Sequence, residues 1–196
     1  NQFTIYAVGA DFSGRSFDGL DLRNAIFDNA DLSNISLKST KLVGARFANA
    51  DLLGTSLVGY DLTNTNFVGV DLSSKDLTGT VLTGANLSNA NLSGVDLSGK
   101  DLTGTILTGV NLSNADLSGV DLSGKDLSNV DLTETNLTGT DLSQATLYDA
   151  NLSGLNLTGT KLVGVNLEQA DILYANLSGI DISSSSFKAA NLSHAN

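Results

Sequence analysis

Few residue types in this chain can carry acid–base, nucleophilic or metal chemistry. The 196 residues include one histidine, His194, and no cysteine, so a thiol nucleophile and a thiolate metal site are excluded. A serine–histidine–aspartate triad needs its histidine in a formed pocket, whereas His194 lies near the end of the sequence. Glu134 and Glu168, the only glutamates, fall at positions that we expect to point outward. The sequence therefore predicts no catalytic residue and no enzyme.

Aspartate is the remaining candidate for metal ligation. Aspartates recur twenty residues apart at Asp11, Asp31, Asp51 and Asp71, and hard carboxylate oxygens of this kind can bind Ca²⁺. The glycine-rich nonapeptide signature of calcium-binding β-rolls is absent, however. We therefore interpret these aspartates as a solvated acidic face and predict no metal and no cofactor.

The charge balance excludes two classes of partner. Lysine and arginine number 10 against 21 aspartates and glutamates, which gives a formal charge of −11 and an isoelectric point near 4.1. Phosphate backbones and anionic membrane surfaces would repel such a chain. No apolar run approaches the roughly 18 residues that a membrane-spanning helix needs. We predict no nucleic-acid partner and no membrane insertion.

A five-residue period dominates the sequence. From Phe12 to Leu192 every fifth residue is Leu, Phe or Ile, at 37 positions without a shift of frame. Ala, Thr or Val usually stands two residues earlier, Asp or Asn one residue earlier, and Gly or Asn often two residues later. A period of five fits neither a helix nor a strand. We expect a chain that turns at every unit, with the central apolar and small residues inside and Asp, Ser and Gly outside or at corners.

These units resemble the pentapeptide-repeat family, whose pattern is A(D/N)LXX. Residues 85–89, Ala-Asn-Leu-Ser-Asn, match it directly, and the resemblance covers about residues 8–196. It implies an all-β fold, a right-handed quadrilateral parallel β-helix with 20 residues per coil and about nine to ten coils. Residues 1–9 would form a short N-terminal lead-in and residues 10–196 a single β-helix, in which residues twenty apart stack.

A longer duplication places large residues in the small inward slot. Residues 70–94 and 95–119 differ at only four positions, and each 25-residue step carries one lysine: Lys75, Lys100 and Lys125. Because an unpaired buried ammonium is costly, we expect each lysine to leave the core at a corner or to pair with a nearby aspartate. The alternative is a spiral of cations that organises a partner surface. Tyr60 occupies the same slot and should distort its coil.

The favoured function is a structural one. The open end of a β-helix exposes unpaired backbone groups and apolar core, and we see no capping segment in this sequence. Two matching ends would favour head-to-tail self-association into a filament, because such a contact does not close. The predicted stacking interface consists of the central residues of the first and last full coils: Phe12, Phe17, Leu22, Phe27, Leu177, Ile182, Phe187 and Leu192.

The alternative is an acidic mimic of DNA. The resemblance implies it, since some pentapeptide-repeat proteins bind DNA gyrase, inhibit it and protect it from quinolones as acidic rods of duplex-like width. Asp101, Asp121 and Asp141 would form the face that contacts such a protein. Those relatives typically dimerise through a C-terminal helix, and several carry projecting loops, whereas the units here continue to Leu192 without interruption. A third interpretation, ice binding by rows of threonine, is weakened by interrupting serines.

The compartment stays open. Glycosylation sequons such as residues 86–88, Asn-Leu-Ser, follow from the repeat itself and favour a bacterial source. The absence of methionine agrees with removal of a leader, so a secreted or cell-surface location is somewhat favoured over a cytoplasmic one.

Overall fold

The computed structural model describes residues 4–196, and within them the chain contains neither an α-helix nor a strand longer than one residue. Single-residue parallel bridges separated by two-residue turns recur every five residues, and each bridge joins residues twenty apart, such as Tyr6 to Ile26 and Asp171 to Asn191. The chain therefore winds into a β-helix solenoid in which four five-residue units separate stacked residues. Among the described residues there is no helix of the length and apolarity needed to cross a bilayer.

Three kinds of backbone hydrogen bond join successive coils. The amide of a central residue donates to the next coil, as in Leu92 to the carbonyl of Asn111 at 2.8 Å. The amide before a central residue donates to the previous coil, as in Asn111 to Ala90 at 3.0 Å. A corner amide donates to the next coil, as in Gly94 to Ser113 at 2.9 Å. Backbone polar groups are thus satisfied coil by coil, although no long strand exists.

The five-residue spacing arises from a tight turn. The amide three residues after a central position donates back to it, as in Ala90 to Leu87 at 3.0 Å. The residue two after the centre has a positive φ, for example +70° at Gly94 and 56° at Asn89. Glycine and asparagine tolerate this left-handed region best, which confirms the predicted corner position.

The core consists of the two inward positions of each unit. The side chains of Leu112 and Val110 are completely buried, and the central column is buried in the same way through the interior of the rod. Inward threonines donate their hydroxyls to backbone carbonyls, either on the preceding coil, as Thr80 Oγ1 does to Leu57 at 2.8 Å, or in their own unit, as Thr65 Oγ1 does to Leu62 at 2.6 Å. This confirms the predicted inward and outward positions, and apolar burial at about 25 cal/mol per Å² stabilises each coil on its neighbour.

The solenoid begins inside the predicted lead-in. The carbonyl of Ile5 accepts from the amide of Ile26 at 2.8 Å, and the amide of Ala7 donates to the carbonyl of Ile26 at 2.8 Å. The part of the lead-in at residues 1–3 lies outside the described residues. From Tyr6 onward the backbone therefore already follows the twenty-residue register.

Candidate functional site

Among residues 4–196, the side chains considered for catalysis and metal binding are dispersed over the surface. His194 is exposed, and its ring stacks on that of Tyr174 with the centroids 4.9 Å apart. In this part of the chain no three His, Cys, Asp or Glu side chains converge as metal ligands. The candidate binding surfaces are the acidic columns, the clefts at the inward lysines, and the ends of the solenoid.

The predicted acidic face is only partly a continuous column. A parallel backbone bridge joins Asp121 to Asp141, whereas Asp101 forms no bridge to either neighbouring coil. Each Oδ1 accepts the backbone amide two residues later, at 2.9, 2.9 and 3.0 Å respectively. One oxygen of every carboxylate therefore caps its own turn. Lys161 Nζ donates to Asp141 Oδ2 at 2.8 Å and places a cation at one end of the column.

These contacts keep the carboxylates ionised. Hydrogen bonds from Thr103 lower the pKa of Asp101, and those from Ser123 lower the pKa of Asp121. The hydrogen bond from Lys161 lowers the pKa of Asp141 to about 2. Because hydrogen bonds to the charged form favour it, the face carries full negative charge at neutral pH.

The other acidic column shows the same local use of its oxygens. Bridges join Asp11 to Asp31 and Asp31 to Asp51. The Oδ1 atoms of these residues and of Asp71 accept amides two residues on, at distances from 2.8 to 3.0 Å. Capping of its own turn therefore explains why aspartate occurs at each of these positions, and the explanation needs no bound cation.

Two of the inward lysines bind the backbone instead of aspartate. Lys75 Nζ donates to the carbonyls of Leu52 at 2.5 Å and Thr55 at 2.9 Å, both on the preceding coil. Lys125 Nζ donates to the carbonyl of Thr105 at 3.2 Å. This differs from the expected corner exit or aspartate pairing, because a backbone carbonyl is the nearest acceptor inside the wall. Burial lowers the pKa of Lys75 and of Lys125, and neighbouring aspartates oppose that shift.

Bridges between coils are missing beside the large inward residues, and also elsewhere, for example after Thr55 and Val70. In the regular pattern, the residue after an inward residue donates its amide to the carbonyl twenty-one positions before it, as Asn111 does to Ala90. No bridge to the preceding coil forms after Tyr60, Lys75, Lys100 or Lys125, that is, at Asp61, Asp76, Asp101 and Asp126. The predicted distortion at Tyr60 is confirmed, and its hydroxyl donates to the carbonyl of Leu37 at 2.5 Å. The sequence showed the oversized residues, but not which hydrogen bonds they displace.

The predicted stacking residues fall into three groups by exposure. Leu22 and Phe27 are only 3% and 2% exposed, and beside Phe27 the chain at residues 5–7 is hydrogen-bonded to Ile26 while the ring of Phe12 lies 6.1 Å from that of Phe27. These two residues belong to the core and not to an exposed end. Ile182 and Leu192 are each 42% exposed. The other four are half-buried: Phe12, Phe17, Leu177 and Phe187.

The family profile for pentapeptide repeats matches the chain in six segments between residues 8 and 196: 8–42, 40–79, 61–99, 85–124, 126–164 and 160–196. No curated protein matches at the significance required of a relative.

Several solved structures are similar to the chain. HetL, a pentapeptide repeat protein involved in heterocyst differentiation regulation in the cyanobacterium Nostoc sp. strain PCC 7120, is 29% identical. That match covers 100% of this chain and 90% of HetL, with a TM-score of 0.37. Rfr23, a pentapeptide repeat protein from the cyanobacterium Cyanothece 51142, is 33% identical over 67% of this chain and 87% of its own, with a TM-score of 0.45. QnrB1, a plasmid-mediated fluoroquinolone resistance protein, is 21% identical over 94% of this chain and 89% of its own, with a TM-score of 0.45.

Proposed function

The chain belongs to the pentapeptide-repeat family, and from this premise we propose that it is a non-enzymatic structural protein, a solenoid rod that associates end to end with further copies. The rod would have a quadrilateral cross-section and about nine to ten coils, since four units separate stacked residues. The observation that carries the proposal is the exposure of the central column at the last coil. Ile182 and Leu192 are 42% exposed, while Leu162 and Ile172, one coil earlier in the same two columns, are fully buried.

The backbone edges at the two ends are complementary. Among the described residues, the amides of Ile182, Phe187 and Leu192 donate to no backbone carbonyl. At the other end, the amides of Asp11 and Ser16 likewise have no backbone acceptor. In the interior, the equivalent amides of Leu92 and Asn111, for example, find acceptors on the neighbouring coils. A second copy stacked in register would satisfy them in the same way, as an added strand does at a sheet edge.

The charge distribution supports stacking at the ends. Residues 1–50 contain five lysines and arginines against five aspartates, and residues 151–196 contain two basic residues against three acidic ones. Residues 51–150 contain three lysines against thirteen acidic residues. The negative charge is therefore concentrated in the middle of the rod, and like-charge repulsion opposes side-by-side contact more than end-to-end contact.

Charge placed in the last coil tests the proposal. We expect Phe187→Lys with Leu192→Lys to shift the protein from oligomers to monomers in sedimentation velocity, because ammonium groups cannot be buried in the joint. The melting temperature should change little, since a terminal coil packs on one neighbour only. The matched control is Ser193→Lys, which adds charge at an exposed outward position and should leave association intact. A parent chain that stays monomeric at the highest attainable concentration would overturn the proposal.

The ionised column Asp101, Asp121 and Asp141 favours a second candidate, an acidic surface that binds DNA gyrase in place of DNA. A supercoiling assay separates the two functions. For the structural role we expect no inhibition of gyrase by the intact chain at micromolar concentration. Inhibition that weakens when the three aspartates are changed to asparagine would favour the mimic instead.

A further inference from the structure

Three lysines open the wall of the solenoid on three successive sides. Around Asp76, which follows Lys75, the bridges to Ser56 and to Asp96 are both absent. Around Asp101, which follows Lys100, the bridges to Val81 and to Asp121 are absent. After Lys125, the bridge from Ile106 to Asp126 is absent. The lysines are 25 residues apart, whereas a coil has 20 residues. Each interruption therefore lies one side further round the solenoid than the one before it.

Lys75 and Lys125 donate to backbone carbonyls that the regular pattern gives to an amide of the next coil. The carbonyl of Thr55 accepts from Lys75 Nζ, although the regular pattern would give it to the amide of Asp76. The carbonyl of Thr105 accepts from Lys125 Nζ instead of the amide of Asp126. The ammonium group therefore replaces a backbone donor, and the displaced amide has no backbone acceptor in the described chain.

The space around the corner glycines shows the same separation between coils. A Cβ built on Gly104 would lie 3.4 Å from the Cα of Gly84, one coil earlier. A Cβ built on Gly124, one coil later in the same column, would meet nothing within 4 Å. Gly79 and Gly99 differ in the same way. A Cβ built on Gly79 would lie 3.4 Å from the Cα of Gly59, whereas a Cβ built on Gly99 would meet nothing within 4 Å. Coils are close before the lysines and further apart beside them.

The openings form clefts that carry no net positive charge. A cleft of about 290 Å³ is lined by the ammonium groups of Lys100 and Lys125 and by the carboxylates of Asp101 and Asp121. A cleft of about 380 Å³ beside Lys75 is lined by Asp51 and Asp71. Carboxylates equal or outnumber the cations in each cleft, so neither has the charge of an anion site.

Smaller residues in the same three inward columns keep the bridge to the preceding coil. Ala115, Thr140 and Val165 lie two coils after the three lysines and are at least 99% buried. The residue after each of them forms the bridge that is missing after the lysine: Asp116 to Asp96, Asp141 to Asp121 and Asn166 to Thr146. The position in the column alone therefore does not account for the missing bonds.

We infer that residues 71–126 form a compliant segment of the rod, in which coils part on one side at a time along the lysine spiral. Because the interruptions fall on different sides, each coil keeps hydrogen bonds on its remaining sides. The segment therefore bends without exposing the core, whereas interruptions stacked on one side would create a single plane of separation.

Amide hydrogen exchange measured by NMR tests the local part of this inference. We expect the amides of Asp76, Asp101 and Asp126 to exchange at least tenfold faster than that of Asn86, which donates to the carbonyl of Thr65 at 2.9 Å. Lys125→Val should slow exchange at Asp126 at least tenfold. If that variant misfolds, Lys125→Thr is the alternative, because Thr65 and Thr105 occupy the same column. Lys188→Val, at an exposed outward position, is the control and should change nothing. Equal exchange at Asp126 in the parent chain and in Lys125→Val would overturn the inference.

The bending itself can be measured with two spin labels. Ser33→Cys and Ser153→Cys place labels outside the segment on both sides, and the chain has no native cysteine to compete. Six coils separate them, about 29 Å at 4.8 Å per coil. We expect the distance distribution to become narrower when Lys75, Lys100 and Lys125 are all changed to valine. An unchanged width in a folded triple variant would contradict the compliant segment.

Discussion

At the scale of single residues, the two inward slots of each unit determine what the chain tolerates. Leu112 is completely buried in the central column, and Ser113, the next residue, points outward. The alternation of buried and exposed neighbours makes adjacent substitutions very unequal in cost.

We expect Leu112→Asp to lower the free energy of unfolding by about 4 kcal/mol or more, because it buries a charge without a partner. Ser113→Asp should cost about 0.5 kcal/mol or less, since its side chain stays in water. Chemical denaturation of the two variants measures both values. Similar losses would show that the inward and outward positions are wrongly assigned.

A second residue-scale prediction concerns the corners. Gly84 has φ +71°, and a Cβ there would clash with Oδ1 of Asn64. Gly94 has φ +70° and open space around the same position. Both Gly→Ala changes carry the left-handed backbone penalty of about 1 kcal/mol, but Gly84→Ala should cost more because the amide of Asn64 must move. Thermal melts should show a larger fall in melting temperature for Gly84→Ala than for Gly94→Ala. Adding Asn64→Gly to Gly84→Ala should remove most of that difference. Equal losses at the two glycines would exclude the clash as a cause.

At the scale of the five-residue unit, the turn is held by the residue before the centre. Asn91 Oδ1 accepts the amide of Ser93 at 3.1 Å, and its Nδ2 donates to Asp71 Oδ1 on the preceding coil at 3.1 Å. The side chain thus closes its own turn and joins two coils, which explains why the repeat prefers Asp or Asn there.

We expect Asn91→Ala to lower the free energy of unfolding by about 1 kcal/mol, as the loss of one or two partly exposed hydrogen bonds would. Ser93→Ala is the control, because the Ser93 hydroxyl forms no hydrogen bond within the described residues. Urea denaturation compares the two. A cost at Ser93 as large as that at Asn91 would argue against the capping role.

At the scale of the whole molecule, the acidic character and the solenoid are linked through turn capping. The hydrogen bonds of the Asp side chains lower the pKa of many carboxyl groups together, among them Asp96, Asp116 and Asp126. A rod with a formal charge of −11 therefore holds its negative charge more favourably when folded than when unfolded.

Stability should consequently fall on acidification. The pKa of Asp141 is about 2 in the fold and near 3.8 ordinarily, so between these values the unfolded chain binds more protons. The stabilisation is present above about pH 4 and is lost as the pH falls toward 2. Melting temperatures recorded from pH 7 to pH 2 should decline in that window, and Asp141→Asn should reduce the decline. A melting temperature that rises on passing below pH 4 would contradict this prediction.

The sequence by itself determined the inside and the outside of this protein. An uninterrupted period of five with Leu, Phe or Ile at its centre permits only a chain that turns at each unit, because neither a helix nor a strand returns every fifth residue to the same side. The corner glycines and asparagines followed from the same pattern, since positive φ is costly for other residues. The family resemblance supplied the twenty-residue coil, from which the stacked columns could be named.

The tertiary structure decided what depends on contacts between coils. Lys75 and Lys125 bind carbonyls of the preceding coil, and that outcome depends on which acceptor lies nearest once the coils are stacked. Leu22 and Phe27 look like end residues in the sequence but are buried, and residues 5–7 continue the register beside Phe27. The acidic column is interrupted at Asp101, which follows Lys100 and forms no bridge to Val81 or Asp121 on the neighbouring coils. A local pattern cannot specify these features, since each depends on residues about twenty positions away competing for the same hydrogen bond or the same space.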